Sequence, residues 1–203
     1  MGAGVKKVVI ASNNAHKVEE IRTALDFGGW EFYTLADLGV ESDPAEDADT
    51  FEGNARIKAR AAHEAAGCAA LADDSGLEVD ALGGEPGVFS ARYAGEHASD
   101  EDNNEKLLGA LADVSDDERT ARFVSTLVFV DEDGSEMVAH GTIEGLIGYE
   151  PKGDKGFGYD PLFYPVEYGG ERTLAQVSQA EKNAISHRGN ALRELKQKIA
   201  AQL

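Results

Sequence analysis

The chain has 203 residues, 42% of them hydrophobic, which is enough for one globular domain with its own core. Its formal net charge of −19 argues against nonspecific nucleic-acid binding, which needs a basic surface. No apolar run is long enough to span a bilayer, and the single cysteine, Cys68, excludes an intramolecular disulfide. A cytoplasmic location is the simplest interpretation. Because salt screens the repulsion within so acidic a chain, we also expect a halophilic source.

The first predicted elements are a strand, a polar loop and a helix. The strand is Val8–Ala11, the loop begins at Ser12, and apolar residues at helical spacing predict a helix roughly from His16 to Leu25. This order turns the N–H groups of a helix start toward an anion, and Lys17 lies where it can reach a phosphate. Many α/β proteins open in this way, however, and a lone lysine is more often solvated.

A second strand is predicted from Trp30 to Leu35, followed by an acidic loop over residues 36–50. An alanine-rich helix then begins near Thr50 and ends at about Ala66, with Gly67 as its C-cap. Asn54 and Lys58 are four residues apart on one face of this helix, either as a surface pair or as a pair that faces a ligand.

The central stretch begins with a short apolar run, Cys68 to Ala72, which predicts a buried strand. Asp73 and Asp74 follow, where we expect that strand to end. Adjacent carboxylates repel each other unless a proton or a cation lies between them, and Mg²⁺ prefers carboxylates together with substrate phosphate oxygens. The alternative is an ordinary turn, because the sequence Asp-Asp-Ser-Gly favours one.

The second half of the chain predicts a helix, a hairpin and a loop. Ser99 is a suitable N-cap for a helix to about Leu111. Phe123–Val130 and Met137–Ile147 predict a long antiparallel hairpin, so that the sheet is mixed. The glycine-rich loop from Pro151 to Pro165 carries an aromatic and an acidic residue, which suits either a flat heterocycle or a hydrophobic plug.

The C-terminal region is predicted to be helical. Thr173 with Gln176, and Ser178 with Glu181, match the spacing of capping boxes. An amphipathic helix follows, with its apolar face on Leu192, Leu195 and Ile199. Just before it, four polar residues predict a compact cationic cluster, which in so acidic a chain favours an anion site: Lys182, Ser186, His187 and Arg188.

Seven short motifs stand in a characteristic order. They are Ser12-Asn13-Asn14-x-x-Lys17, Thr50-Phe51-Glu52-x-Asn54-Ala55-x-x-Lys58-Ala59, Ala72-Asp73-Asp74-Ser75-Gly76-Leu77, Leu82-Gly83-Gly84-x-Pro86-Gly87, Ser90-Ala91-Arg92-Tyr93, Phe157-Gly158-Tyr159-Asp160-Pro161 and Ser186-His187-Arg188. Together they resemble the inosine triphosphate pyrophosphatases, also called the Ham1-like family, from residue 5 to about residue 200. The departures are Ser-Asn-Asn where Thr-Gly-Asn is usual, and Gly53 where the family often has Glu.

The resemblance implies a fold, an activity and partners. The fold is α/β, an elongated two-lobed structure around a mixed central β-sheet with the active site in the cleft between the lobes, and one domain covers residues 1–203. The activity is Mg²⁺-dependent hydrolysis of ITP, dITP and XTP to the monophosphate and pyrophosphate. The partners are small-molecule nucleoside triphosphates and a second copy of the chain in a homodimer, without nucleic acid or membrane.

The resemblance also implies site residues. Asp74 matches the proton acceptor and metal ligand, Asp73 is able to share the catalytic role, and Glu46 is the best match for the second metal carboxylate. The triphosphate positions are matched by Ser12, Asn13, Asn14, Lys17, Lys58 and Lys182. The positions around the nucleotide are matched by Ser75, Phe157, Gly158, Tyr159, Asp160, His187 and Arg188. Of these, Phe157 is expected to stack on the base, and His187 and Arg188 to donate to the 6-carbonyl of the purine.

Three alternative functions remain open at this point. One is a Maf-like pyrophosphatase that acts on pyrimidine nucleotides. Another is a module that binds nucleotides without turnover, although the three candidate carboxylates Glu46, Asp73 and Asp74 argue against it. The third is a structural acidic protein, which leaves the clustered cations without a role.

Overall fold

A computed structural model describes residues 5–24 and 29–201. Its strands and helices, in chain order, are β1 (Lys6–Ile10), α1 (Ala15–Ala24), β2 (Trp30–Thr34), α2 (Phe51–Ala66), β3 (Ala69–Val79), α3 (Asp100–Ala110), β4 (Thr120–Val130), β5 (Glu136–Ile147), β6 (Phe163–Pro165), α4 (Gln179–Ile185) and α5 (His187–Ala200). The predicted end of the first helix, Leu25, lies outside the described residues. No helix in the described ranges has both the length and the apolar character needed to cross a membrane.

One six-stranded sheet has the order β2-β1-β3-β4-β5-β6. β1 pairs in parallel with both β2 and β3, whereas β5 and β6 are antiparallel. This combination confirms the predicted mixed α/β sheet. β4 and β5 are neighbours joined by a turn at residues 131–135, as the sequence predicts.

The chain divides into two compact units. Unit 1 comprises the described residues of Met1–Asp74, Ser125–Gly141 and Arg188–Leu203, and unit 2 comprises Ser75–Val124 and Thr142–His187. Unit 1 contains α1, α2 and α5, and unit 2 contains α3 and α4. The chain therefore passes four times from one unit to the other.

Alternation along the strands gives unit 1 two apolar cores. One core takes Ala69 and Leu71 from β3 and packs them with residues of α1 and α5, such as Ile21 and Leu195. The other core takes Ala70 and Ala72 from β3 and packs them with the buried alanines of α2. Odd-numbered residues of β3 in this unit thus face α1 and α5, and even-numbered residues face α2.

The predicted end of the third strand is wrong. β3 continues through the two aspartates to Val79, so the sequence Asp-Asp-Ser-Gly is not a turn. Aspartate is disfavoured in strands, which is why the sequence indicates a boundary there. Buried cationic partners compensate for that preference, as described below. The short strand β6 was also not predicted, since it lies inside the glycine-rich loop.

The predicted helix caps are confirmed. Gly67 ends α2 in the left-handed conformation, and Thr50, which was not predicted as a cap, accepts a hydrogen bond from the N–H of Gly53. Ser99 forms a capping box with Asp102. The boxes predicted at residues 173 and 178 are both present.

Candidate active site

Strand alternation gives the two adjacent aspartates of β3 different surroundings. Asp73, an odd-numbered residue, lies on the α1 and α5 face, and Asp74 lies on the α2 face. The side chain of Asp73 is 0% exposed and that of Asp74 is 10% exposed. Sequence motifs alone do not separate these two residues, but their positions on the strand do.

Three side chains donate to the carboxylate of Asp73. Lys17 Nζ and an Nη of Arg188 lie 2.9 and 3.1 Å from Oδ2, and Ser125 Oγ lies 2.6 Å from Oδ1. Burial raises the pKa of Asp73, but Arg188 and then Lys17 more than offset it and hold the pKa well below its usual value. Asp73 is therefore a buried anion that holds its neighbours in position.

Glu20 is a site residue that the sequence analysis missed. It is 5% exposed and forms an ion pair with the guanidinium of Arg188, which is itself 1% exposed. Glu20 thus completes a chain of charges from α1 through Arg188 to Asp73. A signal was present in the sequence, because Glu20 is three residues after Lys17 and adjacent to the core residue Ile21 on the same predicted helix.

Asp74 forms an ion pair with the ammonium of Lys58. Lys58 Nζ lies 2.7 Å from Asp74 Oδ1 and 2.9 Å from Glu46 Oε2. Burial raises the pKa of Asp74, and Lys58 and Lys17 offset that effect only in part. A partly accessible carboxylate with a raised pKa is a suitable proton acceptor.

The acidic loop that carries Glu46 is held against the start of α2. The buried side chain of Asn54 accepts a hydrogen bond from the N–H of Ala48 at 3.0 Å. A Cβ at Gly53 would lie 2.5 Å from the Cβ of Ala48, so only glycine fits this close approach without a shift. Asn54 therefore supports the loop, while Lys58, one turn later, binds Glu46 itself.

Glu46 and Asp74 fit a divalent cation that is shared with a substrate. Their oxygens converge on one cationic group, and carboxylate oxygens are the ligands that Mg²⁺ prefers. Among the described residues, no group of three or more His, Cys, Asp or Glu side chains is arranged to hold a metal ion. A site with two carboxylates suits Mg²⁺, which commonly keeps its other positions for water and phosphate oxygens.

The loop that begins at Ser12 provides the N-terminal cap of helix α1. Asn14 Oδ1 accepts from the N–H groups of His16 and Lys17 at 3.0 and 3.2 Å, and Ser12 Oγ accepts from the N–H of Asn14. Two of the helix-start N–H groups expected to face an anion are thus satisfied by a side chain of the loop itself. Asn13 is exposed.

In unit 2, Asp160 is the centre of the glycine-rich loop. Its Oδ2 accepts from Lys182 Nζ at 2.6 Å and from the N–H of Phe157 at 2.9 Å. The ammonium of Lys182 also lies 4.5 Å from the centroid of the Phe157 ring. Gly156 has φ +72°, and a Cβ there would collide with the Asp160 carboxylate. The buried ion pair between Asp160 and Lys182 therefore fixes the conformation of this loop.

Three further contacts fix the two residues that follow Phe157. Gly158 donates its N–H to Asp100 at 2.6 Å, and its carbonyl accepts from Asn104 at 3.0 Å. Tyr159, predicted to border the nucleotide, is 4% exposed and donates its hydroxyl to the carbonyl of Ser90, so its ring belongs to the core of unit 2.

The cations of the predicted cluster pair with carboxylates from different parts of the chain. Lys182 pairs with Asp160 in unit 2, and Arg188 pairs with Glu20 and Asp73 in unit 1. His187 is 4% exposed and stacks on Phe123, with ring centroids 4.9 Å apart. The carboxylate partners of Lys182 and Arg188 are distant in sequence, so the spacing of the cations along the chain does not indicate these pairs.

The predicted site residues form two groups. Unit 1 brings together Lys17, Glu46, Lys58, Asp73, Asp74 and Arg188, and also holds Ser12, Asn13 and Asn14. Unit 2 brings together Phe157, Asp160 and Lys182, and also holds Ser75, Gly158, Tyr159 and His187.

A profile of the Ham1 family matches residues 8–198, almost the whole chain. The chain belongs to the Ham1 family. As a Ham1 protein it is 47% identical over 201 residues to a dITP/XTP pyrophosphatase of Clostridium perfringens, and the match covers 96% of this chain and 98% of that one. A Mycobacterium tuberculosis dITP/XTP pyrophosphatase is 51% identical over 191 residues, covering 93% and 92% of the two chains.

Solved Ham1 structures show the same fold. The Ham1 protein of Staphylococcus aureus superposes with a TM-score of 0.86 at 41% identity, and the match covers 98% of this chain and all of the other. A HAM1 protein from Coxiella burnetii also gives a TM-score of 0.86, at 42% identity, covering 97% and 99% of the two chains. The expected family and α/β fold are confirmed, whereas the predicted active-site cleft between lobes stays a prediction.

Proposed function

We propose that this Ham1 protein hydrolyses non-canonical purine nucleoside triphosphates (ITP, dITP and XTP) to the monophosphate and pyrophosphate, with Mg²⁺. The observation that carries the proposal is the pair of carboxylates, Glu46 and Asp74, that converge on the ammonium of Lys58. Relatives that match more than nine-tenths of the chain are named dITP/XTP pyrophosphatases, which supports the substrate class.

In this proposal Asp74 is the catalytic base. It takes a proton from the water that attacks the α-phosphorus, and the bond to the β-phosphate oxygen breaks to release pyrophosphate. Asp73 is unsuitable, because its side chain is 0% exposed and three groups already donate to it. Asp73 instead holds Lys17, a candidate phosphate ligand, next to the base.

Phosphoryl transfer depends on positioning and charge stabilisation more than on covalent chemistry. Lys17 and Lys58 provide positive charge for the triphosphate, and Glu46 with Asp74 would hold the Mg²⁺. When bound there, Mg²⁺ supplies Lewis-acid neutralisation of the phosphate oxygens. Both lysines pair with carboxylates, so a bound phosphate would compete with Asp73, Asp74 and Glu46 for their N–H donors.

We assign the base end of the substrate to residues of the family motifs. Phe157, beside the buried Asp160–Lys182 pair, supplies a stacking face, and His187 supplies a donor for the 6-carbonyl of hypoxanthine or xanthine. Adenine has an amino group at this position and would leave the donor unpaired. A site built around one hydrogen bond discriminates by as much as about 10⁴-fold. Arg188 was also expected to donate to the 6-carbonyl. We do not assign it this role, because its guanidinium binds Glu20 and Asp73.

The first test is pyrophosphate release from a panel of ITP, XTP, GTP, ATP and dTTP, with Mg²⁺ and with excess EDTA. We expect kcat/KM to rank ITP and XTP first, GTP well below them and ATP lowest, with loss of activity in EDTA. A preference for dTTP would favour the Maf-like alternative. Tight nucleotide binding without product would favour a sensor.

Two further expectations, one from the family resemblance and one from the composition, stay predictions. A homodimer is expected, and light scattering of the purified protein at several concentrations would measure its mass. A cytoplasmic location is also expected, and fractionation of the source cells would test it.

A further inference from the structure

Lys58 lies at the point where the two candidate metal ligands meet. Its Nζ contacts Glu46 Oε2 at 2.9 Å and Asp74 Oδ1 at 2.7 Å, and its side chain is only 14% exposed. One positive charge therefore serves two negative charges, the nearly buried carboxylate of Asp74 and that of Glu46, whose side chain is 36% exposed. A cation that entered between the same two oxygens would have to displace this ammonium or accept its repulsion.

Helix α2 sets the position of the Lys58 ammonium. Lys58 is in the middle of α2, which begins at a Thr50 cap and packs Ala55, Ala59 and Ala62 into the core. Glu46 comes instead from a loop, and the bond between Asn54 and Ala48 ties that loop to the same helix. Both partners of the ion pair are thus positioned by α2, and the pair does not depend on a chance surface contact.

We propose that Lys58 occupies the position of the divalent cation in the nucleotide-free protein, and that it keeps Glu46 and Asp74 from binding a metal until a triphosphate offers it another partner. This rests on the proposed function, in which Lys58 is a phosphate ligand. A triphosphate carries more negative charge than the two carboxylates, so it attracts the ammonium away from them. Glu46 and Asp74 then become available together.

The consequence is an order of binding. Without nucleotide, the protein binds free Mg²⁺ weakly, since the ligands it would need are engaged. With nucleotide, Lys58 exchanges the carboxylates for phosphate oxygens, and no buried charge is left without a partner at either stage. The metal is therefore accepted together with its nucleotide and not before it.

The test measures Mn²⁺ binding in the absence of nucleotide, by calorimetry and by electron paramagnetic resonance. Mn²⁺ is the probe because it shares the oxygen ligands of Mg²⁺ and is paramagnetic. We expect Lys58→Met to bind Mn²⁺ about tenfold more tightly than the wild type, or better. The matched control is Lys6→Met, which removes the same charge from an ion pair with Asp131 that involves neither Glu46 nor Asp74. It should change the affinity far less.

Two additional variants make the result decisive. Lys58→Gln keeps a donor for the carboxylates and protects the fold, as circular dichroism would verify, and it should show the same gain. The double variant with Lys58→Met and Glu46→Gln should lose this gain in Mn²⁺ affinity. Equal Mn²⁺ affinity in the wild type and both Lys58 variants overturns the proposal, as does a gain in affinity that survives Glu46→Gln.

The same proteins separate this inference from the proposed function. If the wild type releases pyrophosphate from ITP while neither Lys58 variant gains Mn²⁺ affinity, this inference alone fails. A gain without any hydrolysis by the wild type overturns only the proposed function.

Discussion

Asp73 and Asp74 are adjacent in the chain, yet they have opposite surroundings because a strand turns successive side chains to opposite faces. Asp73 is enclosed by Lys17, Arg188 and Ser125, whereas Asp74 has Lys58 and some access to solvent. One residue thus holds the site together, and the other is placed for chemistry. These two roles can be separated by experiment.

We predict that Asp74→Asn lowers kcat on the order of a thousandfold while leaving the melting temperature close to that of the wild type. The amide keeps the shape of the side chain but does not accept the proton from water. Asp73→Asn should act mainly on stability, because it leaves the buried Arg188 with less negative charge. Breaking a buried pair costs about 3–5 kcal/mol.

Steady-state kinetics and urea unfolding of both variants would check this contrast. Near-wild-type kcat in folded Asp74→Asn would remove Asp74 as the base. An Asp73→Asn variant as stable as the wild type, but inactive, would show that the two roles are reversed.

At the scale of elements, a buried arginine joins the end of α3 to the end of β5. Arg119 is 2% exposed, and its guanidinium donates to the carbonyls of Leu111, Ile147 and Gly148 at 2.7–2.8 Å. The Tyr149 ring lies 4.1 Å from it. A cation at a helix C-terminus also interacts favourably with the helix dipole.

We predict that Arg119→Met destabilises the protein by about 2–4 kcal/mol, because buried carbonyls lose their donors. The matched control is Arg172→Met. Arg172 also lies over a tyrosine ring, 4.4 Å from that of Tyr168, but its side chain is 45% exposed and its ion pair with Glu181 is on the surface. The control should cost less than about 1 kcal/mol. Equal losses in urea unfolding would contradict the role given to Arg119.

Helices and their caps were predictable because their signals are local. Gly67 and Ser99 act on groups within a few residues, and both caps are present. The extent of β3 was not predictable from such signals. Asp73 is stabilised in the strand by Lys17, 56 positions earlier, and Arg188, 115 positions later. Site residue types were therefore recognisable from motifs, but their pairing required the fold.

The whole molecule carries 38 acidic and 19 basic residues, and this imbalance decides how salt acts on its stability. Salt weakens favourable pairs such as those of Arg122 with Asp80 and Glu144, which are largely exposed. It also screens the repulsion among the excess acids. Exposed pairs contribute little individually, so the repulsion should dominate.

We predict that the melting temperature rises between 0.1 and 2 M KCl, and equally in NaCl, as the Debye length falls to about 3 Å at 1 M. Differential scanning calorimetry in both salts would measure this. A flat or falling melting temperature would contradict the halophilic interpretation, and a rise in only one salt would indicate specific ion binding.

The order in which unit 1 is assembled along the chain has a consequence for biosynthesis. Its first strand shares a core with Leu192, Leu195 and Ile199 of α5, which is translated after all the other helices and strands described above. Unit 2 is complete once His187 has been translated, but unit 1 then still lacks that helix. Arg188 is absent for equally long, so Asp73 cannot be neutralised as it is in the native protein. A nascent chain that stops at His187 would therefore contain all the residues of unit 2 but an incomplete unit 1, without the helix that closes its core and without the arginine that binds Asp73.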